Sequence, residues 1–352
     1  MHASTVAIDL AKEVFELAFA DDRGRVLERK RLSRRAFARA LEQRPPLRVL
    51  MEACGSAHYW ARRFQRLGHA VRLLPARDVR PYVRGNKTDR NDVAGILEAD
   101  RCGDIAGVPV KTPEQQGIQA LHRLREHLKA ERTATINLLR GVLREFGVTI
   151  PAGALKVPAA VRDALEDGDN ELPMPLRYSL DDQLQRLAQL QADMAAIEQR
   201  LEEFADRDVA VQRYRRVPGV GLLTATALRA SAGDLSRFRN GRQFAAWLGL
   251  TPREHSSGQQ RRLGGLTKRG DVYLRTLLVH GARAVLTAAR LKQRRGQPLD
   301  PLQAWALKVQ DARGHNKAAC ALANKLARRL WAMEHHGQAF DPRHVSQRPG
   351  AH

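Results

Sequence analysis

Two short apolar runs near the start of the chain end on acids: Thr5-Val-Ala-Ile-Asp9 and Leu47-Arg-Val-Leu-Met-Glu52. Runs so rich in β-branched and apolar residues read as buried strands. A carboxylate has no place inside such a strand. It is tolerated where the strand leaves the sheet, and there it points into a cleft rather than the core. The neighbouring pattern supplies the rest of a sheet. Val14–Ala20 partly alternates, Asp21-Asp22-Arg23-Gly24 is a turn signal, and residues 25–32 can return as the next strand. Ser33 can cap a helix to about Gln43, which Pro45-Pro46 stops. Gly55-Ser56 opens a helix through Leu67, Gly68 ends it, and residues 69–74 form a further strand.

The resulting order, βββαβα with more helix after it, is a hairpin meander followed by α/β units. That is a ribonuclease-H-like order for a mixed sheet domain over residues 1–110. Beyond it the period changes. Residues 113–146 read as one long helix on Leu121, Leu124, Leu128, Leu138 and Val142. Residues 147–178 hold Pro151, Pro158, Pro173 and Pro175 and read as a connector with at most one short helix. A second long helix over 179–204 carries a near-heptad seam of Leu180, Leu184, Leu187, Met194, Ile197, Leu201 and Phe204, interrupted by Gln191. Residues 111–208 are thus either an antiparallel coiled-coil arm or two ordinary bundle helices; periodicity alone does not choose. Residues 209–335 read as a mainly helical domain, and 336–352 as a disordered tail.

The 352 residues hold 60 Lys/Arg against 38 Asp/Glu, a formal net charge of +22. Residues 209–352 alone carry 26 Lys/Arg and 7 Asp/Glu, which is +19 of that total. So basic a segment needs a polyanion, and nucleic acid is the first expectation. An anionic membrane is the alternative, but no apolar run approaches the ~20 residues of a spanning helix. Asp9 interrupts the first apolar run, so no signal peptide is expected, and the expected location is the bacterial cytoplasm, at the nucleoid. Cys54, Cys102 and Cys320 are isolated, which argues against structural zinc and a disulfide framework.

Asp89 and Asp92 join the two strand-end acids as candidates. They lie in Asn86-Lys-Thr-Asp-Arg-Asn-Asp92, where Thr88 can cap a helix and a spacing of three places both on one face of its first turn. Four carboxylates from separate segments form a hard oxygen set suited to Mg²⁺, and two such ions ~4 Å apart serve phosphodiester chemistry. Read singly, strand-end acids are often solvated, and acids at a helix start complement its dipole. Further on, Pro218-Gly219-Val220-Gly221 before a helix resembles a helix-hairpin-helix turn offering backbone N–H groups to a phosphate; an ordinary helix–helix turn is the alternative. Ser256-Ser257-Gly258 is followed by Arg261, Arg262, Lys268 and Arg269. That loop reads as a polar, basic surface or as a hydroxyl placed beside a phosphate.

In combination these motifs resemble a known family. Asp9 in AIDLAKE, Glu52 in MEACGSAHYW, and Asp89 with Asp92 in NKTDRNDVAGI are similar to the DEDD motif of the insertion-sequence 110/1111 transposases. RRVPGVGLLTA and WLGLTPREHSSGQQRR with LTKRGDVYLRTLLVHGARA resemble the family's C-terminal transposase domain. The resemblance implies a RuvC-like N-terminal domain, a coiled-coil arm and a helical C-terminal domain with a catalytic serine. That serine maps to Ser257, with Ser256 as the alternative. It further implies Mg²⁺ on Asp9, Glu52, Asp89 and Asp92, and a serine-linked DNA intermediate. The implied partners are element and target DNA, an element-encoded guide RNA, and further copies of the chain in a dimer or tetramer. Two rivals share much of this pattern: a metal-dependent, structure-selective nuclease with no covalent serine step, and a non-catalytic nucleic-acid-binding protein.

Overall fold

A computed structural model describes residues 2–86, 88–258 and 260–343. The chain forms two compact units, Met1–Glu114 and Gln115–His352.

The first unit is built on a five-stranded sheet. Its strands are β1 (Thr5–Asp9), β2 (Val14–Ala20), β3 (Val26–Ser33), β4 (Arg48–Glu52) and β5 (Ala70–Leu74), in the order β3-β2-β1-β4-β5. The first three pair antiparallel as a meander, while β4 runs parallel to β1 and β5 parallel to β4. The helices are α1 (Arg34–Arg39), α2 (Ala57–Arg66), the short α3 (Ala76–Val79) and α4 (Asp89–Arg101). The two-residue period of the strands sorts side chains between the faces by size. Val6, Ile8, Phe15, Leu17, Val49 and Met51 meet Phe37 of α1 and Trp60 and Phe64 of α2. The opposite face presents smaller residues, Ala7 and Ala18 with Leu50, and packs against Val93, Ile96 and Ala99 of α4. Asp9 and Glu52 share their parity with Ala7 and Leu50, so the alternation assigns them to the face that α4 covers.

The far end of α4 is fastened to the sheet. Asp100 is 5% exposed and accepts ion pairs from Arg48 of β4 and Arg72 of β5. A buried carboxylate is tolerated only with such partners.

The second unit is helical: α5 (Pro113–Glu145), α6 (Val157–Glu166), α7 (Met174–Arg207), α8 (Val209–Arg215), α9 (Leu222–Ala232), α10 (Gly241–Trp247), α11 (Val272–Arg294), α12 (Pro301–Arg313) and α13 (His315–His335). Helices α5 and α7 run antiparallel, as the pairs Arg125–Glu198 (2.7 Å) and Glu131–Arg186 (3.5 Å) require. Their distal halves close with α6 around Ile136, Leu139, Leu143, Val161, Leu184 and Leu187. Their proximal halves belong to the main core: Ile118, Ile197, Leu201 and Phe204 pack with α8, α9, α11 and α13 residues. The seam in α7 is buried as expected. In α5 the buried line is Ile118, Ile136, Leu139 and Leu143, and Leu124 and Leu138 each stand 53% exposed. Helix α7 starts five residues before the expected Ser179, because Pro175 falls in its first turn, where a missing N–H costs nothing.

His122 is buried between α5, α9 and α11. Thr226 Oγ1 donates to the Leu222 carbonyl, so His122 Nε2 donates to Thr226 (3.0 Å) and Tyr273 donates to Nδ1 (2.9 Å). Burial pushes this imidazole down to about 4. The helices of this unit are interrupted by a β-hairpin not expected from the sequence, β6 (Pro252–Glu254) paired with β7 (Leu263–Leu266). Of the tail expected to be disordered, residues 336–343 are described and Phe340 packs on the helical core, which corrects that expectation there; 344–352 lie outside the described residues. Among the described residues no helix is long and apolar enough to cross a membrane.

Candidate active site

Three of the four expected acids converge. Asp9 ends β1. Asp89 and Asp92 occupy the first turn of α4, which Thr88 caps by accepting from the Asn91 amide (3.3 Å). Carboxylate oxygens of Asp9, Asp89 and Asp92 all lie within 4.8 Å of one another. Glu52 ends the neighbouring parallel strand one residue past the Ile8–Met51 pair, so it follows Asp9 across the sheet. Its carboxylate lies outside the cluster of three. Burial pushes Cys54 up first, and the charges of Glu52 and Asp9 add to this, which puts both acids near that thiol.

The cluster is electrostatically unfavourable as it stands. Asp9 is held above the usual carboxylate range, first by burial and then by the charges of Asp92 and Asp89; the Leu10 amide opposes this only in part. A half-buried oxygen set that repels itself fits a hard divalent cation such as Mg²⁺. Two neighbours were not singled out from the sequence. Glu16 pairs with Asp9 across β1 and β2, and Arg31 pairs with Glu16 across β2 and β3. The Arg31 guanidinium reaches to 4.0 Å from Asp89. The alternation of β3 was too irregular to reveal that Arg31 faces the acids.

The serines belong to the second unit, on the loop of the β6–β7 hairpin. Ser256 is engaged: its hydroxyl donates to Glu254 Oε1 (2.8 Å) and accepts from the Arg262 amide (3.2 Å). Arg261 donates to the same Glu254 oxygen at 3.2 Å. Ser257 pairs with Gln260 through backbone alone (3.3 and 3.1 Å), and its exposed hydroxyl has no partner among the described residues. The His255 side chain makes no hydrogen bond to either serine. Lys268 and Arg269 are exposed beyond β7, and Lys268 holds φ +54, the only positive value for a described residue other than glycine. Such backbone strain is characteristic of functional loops.

The Pro218–Gly221 turn has two roles. Gly219 (φ +82) lies against Gly281 of α11 so closely that a Cβ there would sit 2.7 Å from the Gly281 carbonyl oxygen. A Cβ on Gly281 would come within 1.9 Å of the Gly219 oxygen. Gly219 is therefore a packing residue. Gly221 is exposed, caps α9 without a side-chain bond, and opens onto free space.

Comparison with known proteins agrees with this layout. Residues 6–148 match the model of the DEDD transposases of IS110 type, described as transposase. Residues 211–296 match that of the transposase IS116/IS110/IS902 family. The chain is 43% identical to a "probable family 20 transposase" of Pseudomonas aeruginosa, over 95% of this chain and 97% of that one. It is 38% identical to the transposase for insertion sequence element IS1111A of Coxiella burnetii, over 93% and 88% respectively. With the transposase for IS1328 of Yersinia enterocolitica the identity is 37%, over 96% and 99%. The chain belongs to the DEDD transposases of the insertion-sequence 110/1111 family.

Proposed function

We propose that this transposase cuts and rejoins DNA at the ends of its mobile element through a serine ester. The observation that carries the reading is the convergence of Asp9, Asp89 and Asp92 at the end of a mixed sheet whose order suits a RuvC-like ribonuclease H fold. Asp9, Asp89, Asp92 and the adjoining Glu52 would hold Mg²⁺, which supplies charge neutralisation at the phosphate and a more acidic hydroxyl. Ser257 is the nucleophile, since its hydroxyl is unengaged where that of Ser256 is tied to Glu254. The Ser257 oxygen bonds to phosphorus, the bond to the departing strand's oxygen breaks, and the serine proton passes to solvent while that oxygen takes one up. One phosphoester replaces another, so the step stores the energy needed to rejoin. Rejoining is the reverse, with a new strand's hydroxyl releasing the serine. Residues 1–110 would act as the DEDD domain, 111–208 as the arm, and 209–335 as the serine domain. Because the acids and the serine belong to different units, the active assembly must join them, within one copy or between copies in a dimer or tetramer. Arg261, Arg262, Lys268, Arg269 and the Gly221 end of the Pro218–Gly221 turn would hold backbone phosphates, and an element-encoded guide RNA would supply sequence recognition by base pairing.

The test is a trapping assay. The full chain is mixed with element-junction DNA and Mg²⁺, with and without the co-transcribed RNA, then quenched in denaturant. A protein–DNA adduct lost with Ser257→Ala and kept with Ser256→Ala is expected. Metal-dependent cutting without adduct, equal in all three proteins, would replace this reading with a metal-only nuclease. Adducts that form equally without the RNA would remove the guide.

A further inference from the structure

A cavity of about 1370 Å³ lies in the second unit between α13, the tip of α10 and the β6–β7 hairpin. It exceeds the ~300–1,000 Å³ of ordinary small-molecule pockets. One face of α13 forms its floor, where Lys317, Lys325 and Arg328 recur at helical spacing and Ala321 and Ala332 keep the surface low. Lys317 to Arg328 spans roughly 16 Å at 1.5 Å per residue, room for more than one nucleotide. With Arg242 these make four cations that form no ion pair among the described residues, and Asp341 is the one acid among the described lining residues. Aromatic rings meet the cations: Lys325 Nζ stands 4.0 Å above the Trp305 ring, and Phe340 and Trp331 line the same space. Lys325 sits below the usual lysine range because of burial and the charges of Arg329 and Arg328.

The opposite wall is the hairpin itself, through Pro252, Gly264, Gly265 and Leu266. Two glycines inside a strand are poor sheet formers and mark a place where something approaches the backbone. A Cβ on Gly265 would meet nothing within 4 Å. The strand is bare on a side where no protein atom needs the room.

We propose that this cavity is a binding site for an unpaired stretch of a nucleic-acid strand, phosphates on the α13 cations and bases against the rings. Its hairpin wall would lead the strand toward Ser257. A double helix offers phosphates but keeps its base faces stacked, whereas an unpaired strand satisfies both cations and rings. The proposal rests on the recombinase reading only in taking nucleic acid as the substrate.

Binding is measured by fluorescence anisotropy on the full chain in chelator, so no cutting is needed. The probes are labelled oligo-dT, oligo-U of equal length and a blunt duplex. Gly265→Val suits a strand and adds bulk to the hairpin wall of the cavity; it should weaken single-strand binding about tenfold and duplex binding less than twofold. Lys325→Gln with Arg328→Gln should lower the salt slope for the single strand by about 1.4, at ~0.7 per phosphate. Circular dichroism and melting curves check folding, and the charge variant serves alone if Gly265→Val does not fold. A preference for dT or for U names the strand's source, and either supports the site. Absence of single-strand binding, an unchanged slope, or equal loss for strand and duplex with Gly265→Val overturns it. A missing adduct with intact cavity binding would sink only the serine chemistry, and an intact adduct with no cavity effect would sink only this site.

Discussion

The two units place their chemistry-bearing side chains by opposite means. In the first, Asp9 is fixed by a β-strand with buried neighbours on both sides, and Asp89 and Asp92 by a capped helix packed on the same sheet. Two segments eighty residues apart must fold together before the acids meet. In the second, Ser257 rides on the loop of a short hairpin whose residues are mostly exposed, and its hydroxyl has no hydrogen-bond partner among the described residues. The first unit carries acids that repel one another. The hairpin carries an exposed hydroxyl. On the proposed reading, each half lacks what the other, with a bound metal, would provide.

The largest expected effect tests that division. Asp9→Ala or Asp92→Ala should abolish DNA cutting and leave DNA affinity within about twofold, as read by gel assays and anisotropy, because backbone affinity is supplied by cations such as those of the second unit. Loss of binding together with folding would make those acids structural. Asp9→Asn should also raise the metal-free melting temperature, since it removes one charge from a self-repelling cluster. The next effect is on stability. Asp100→Ala removes the buried acceptor of Arg48 and Arg72, whose guanidinium groups can still reach water, and should cost about 1–2 kcal/mol in a denaturant titration. A loss below ~1 kcal/mol would show that the first unit does not depend on this anchor.

Of similar size are the effects of the glycine variants of the second unit. Gly281→Ala should cost about 1–3 kcal/mol through its clash with Gly219. Gly221→Val should spare stability and weaken nucleic-acid binding; unchanged affinity would remove that turn from the contact surface. His122 gives a pH dependence. Its folded value of about 4 lies below the 6.5 of a free imidazole, so the unfolded chain binds the proton first. Its contribution is fully present above pH 6.5 and is lost as pH falls toward 4, by up to about 3 kcal/mol. His122→Gln should flatten that part of the profile. Last, Leu124→Gln with Leu138→Gln should lower the assembly's mass in light scattering without changing helix content; an unchanged mass would leave α5 with no role between copies.

Much of this architecture was readable because each strand and helix carried its own punctuation. Ser33 and Thr88 cap the helices expected of them, and the acids at the ends of β1 and β4 stand where the apolar runs stop. The parts that were missed depend on contacts distant in sequence. Nothing near Asp100 announces that Arg48 and Arg72 will reach it. Leu124 and Leu138 look like seam residues until α5 chooses Leu139 and Leu143 instead, a rotation that only the packed partner decides. The hairpin strands are three and four residues long and rich in glycine and charge, too short for alternation to register. Gly219 reads as a phosphate-binding glycine by its motif, yet the backbone of α11 already occupies its open side.

The ion pairs of Asp100 also set a mechanical tolerance. Asp100 and Asp89 are eleven residues apart on α4, so the clamp and the acids are the two ends of a lever roughly 16 Å long. A tilt of about 4° at the clamped end would carry the Asp89 and Asp92 carboxylates through about 1 Å, a misplacement that can slow a reaction ~100-fold. The ion pairs of Asp100 would then act as the fulcrum on which the aim of the acids depends.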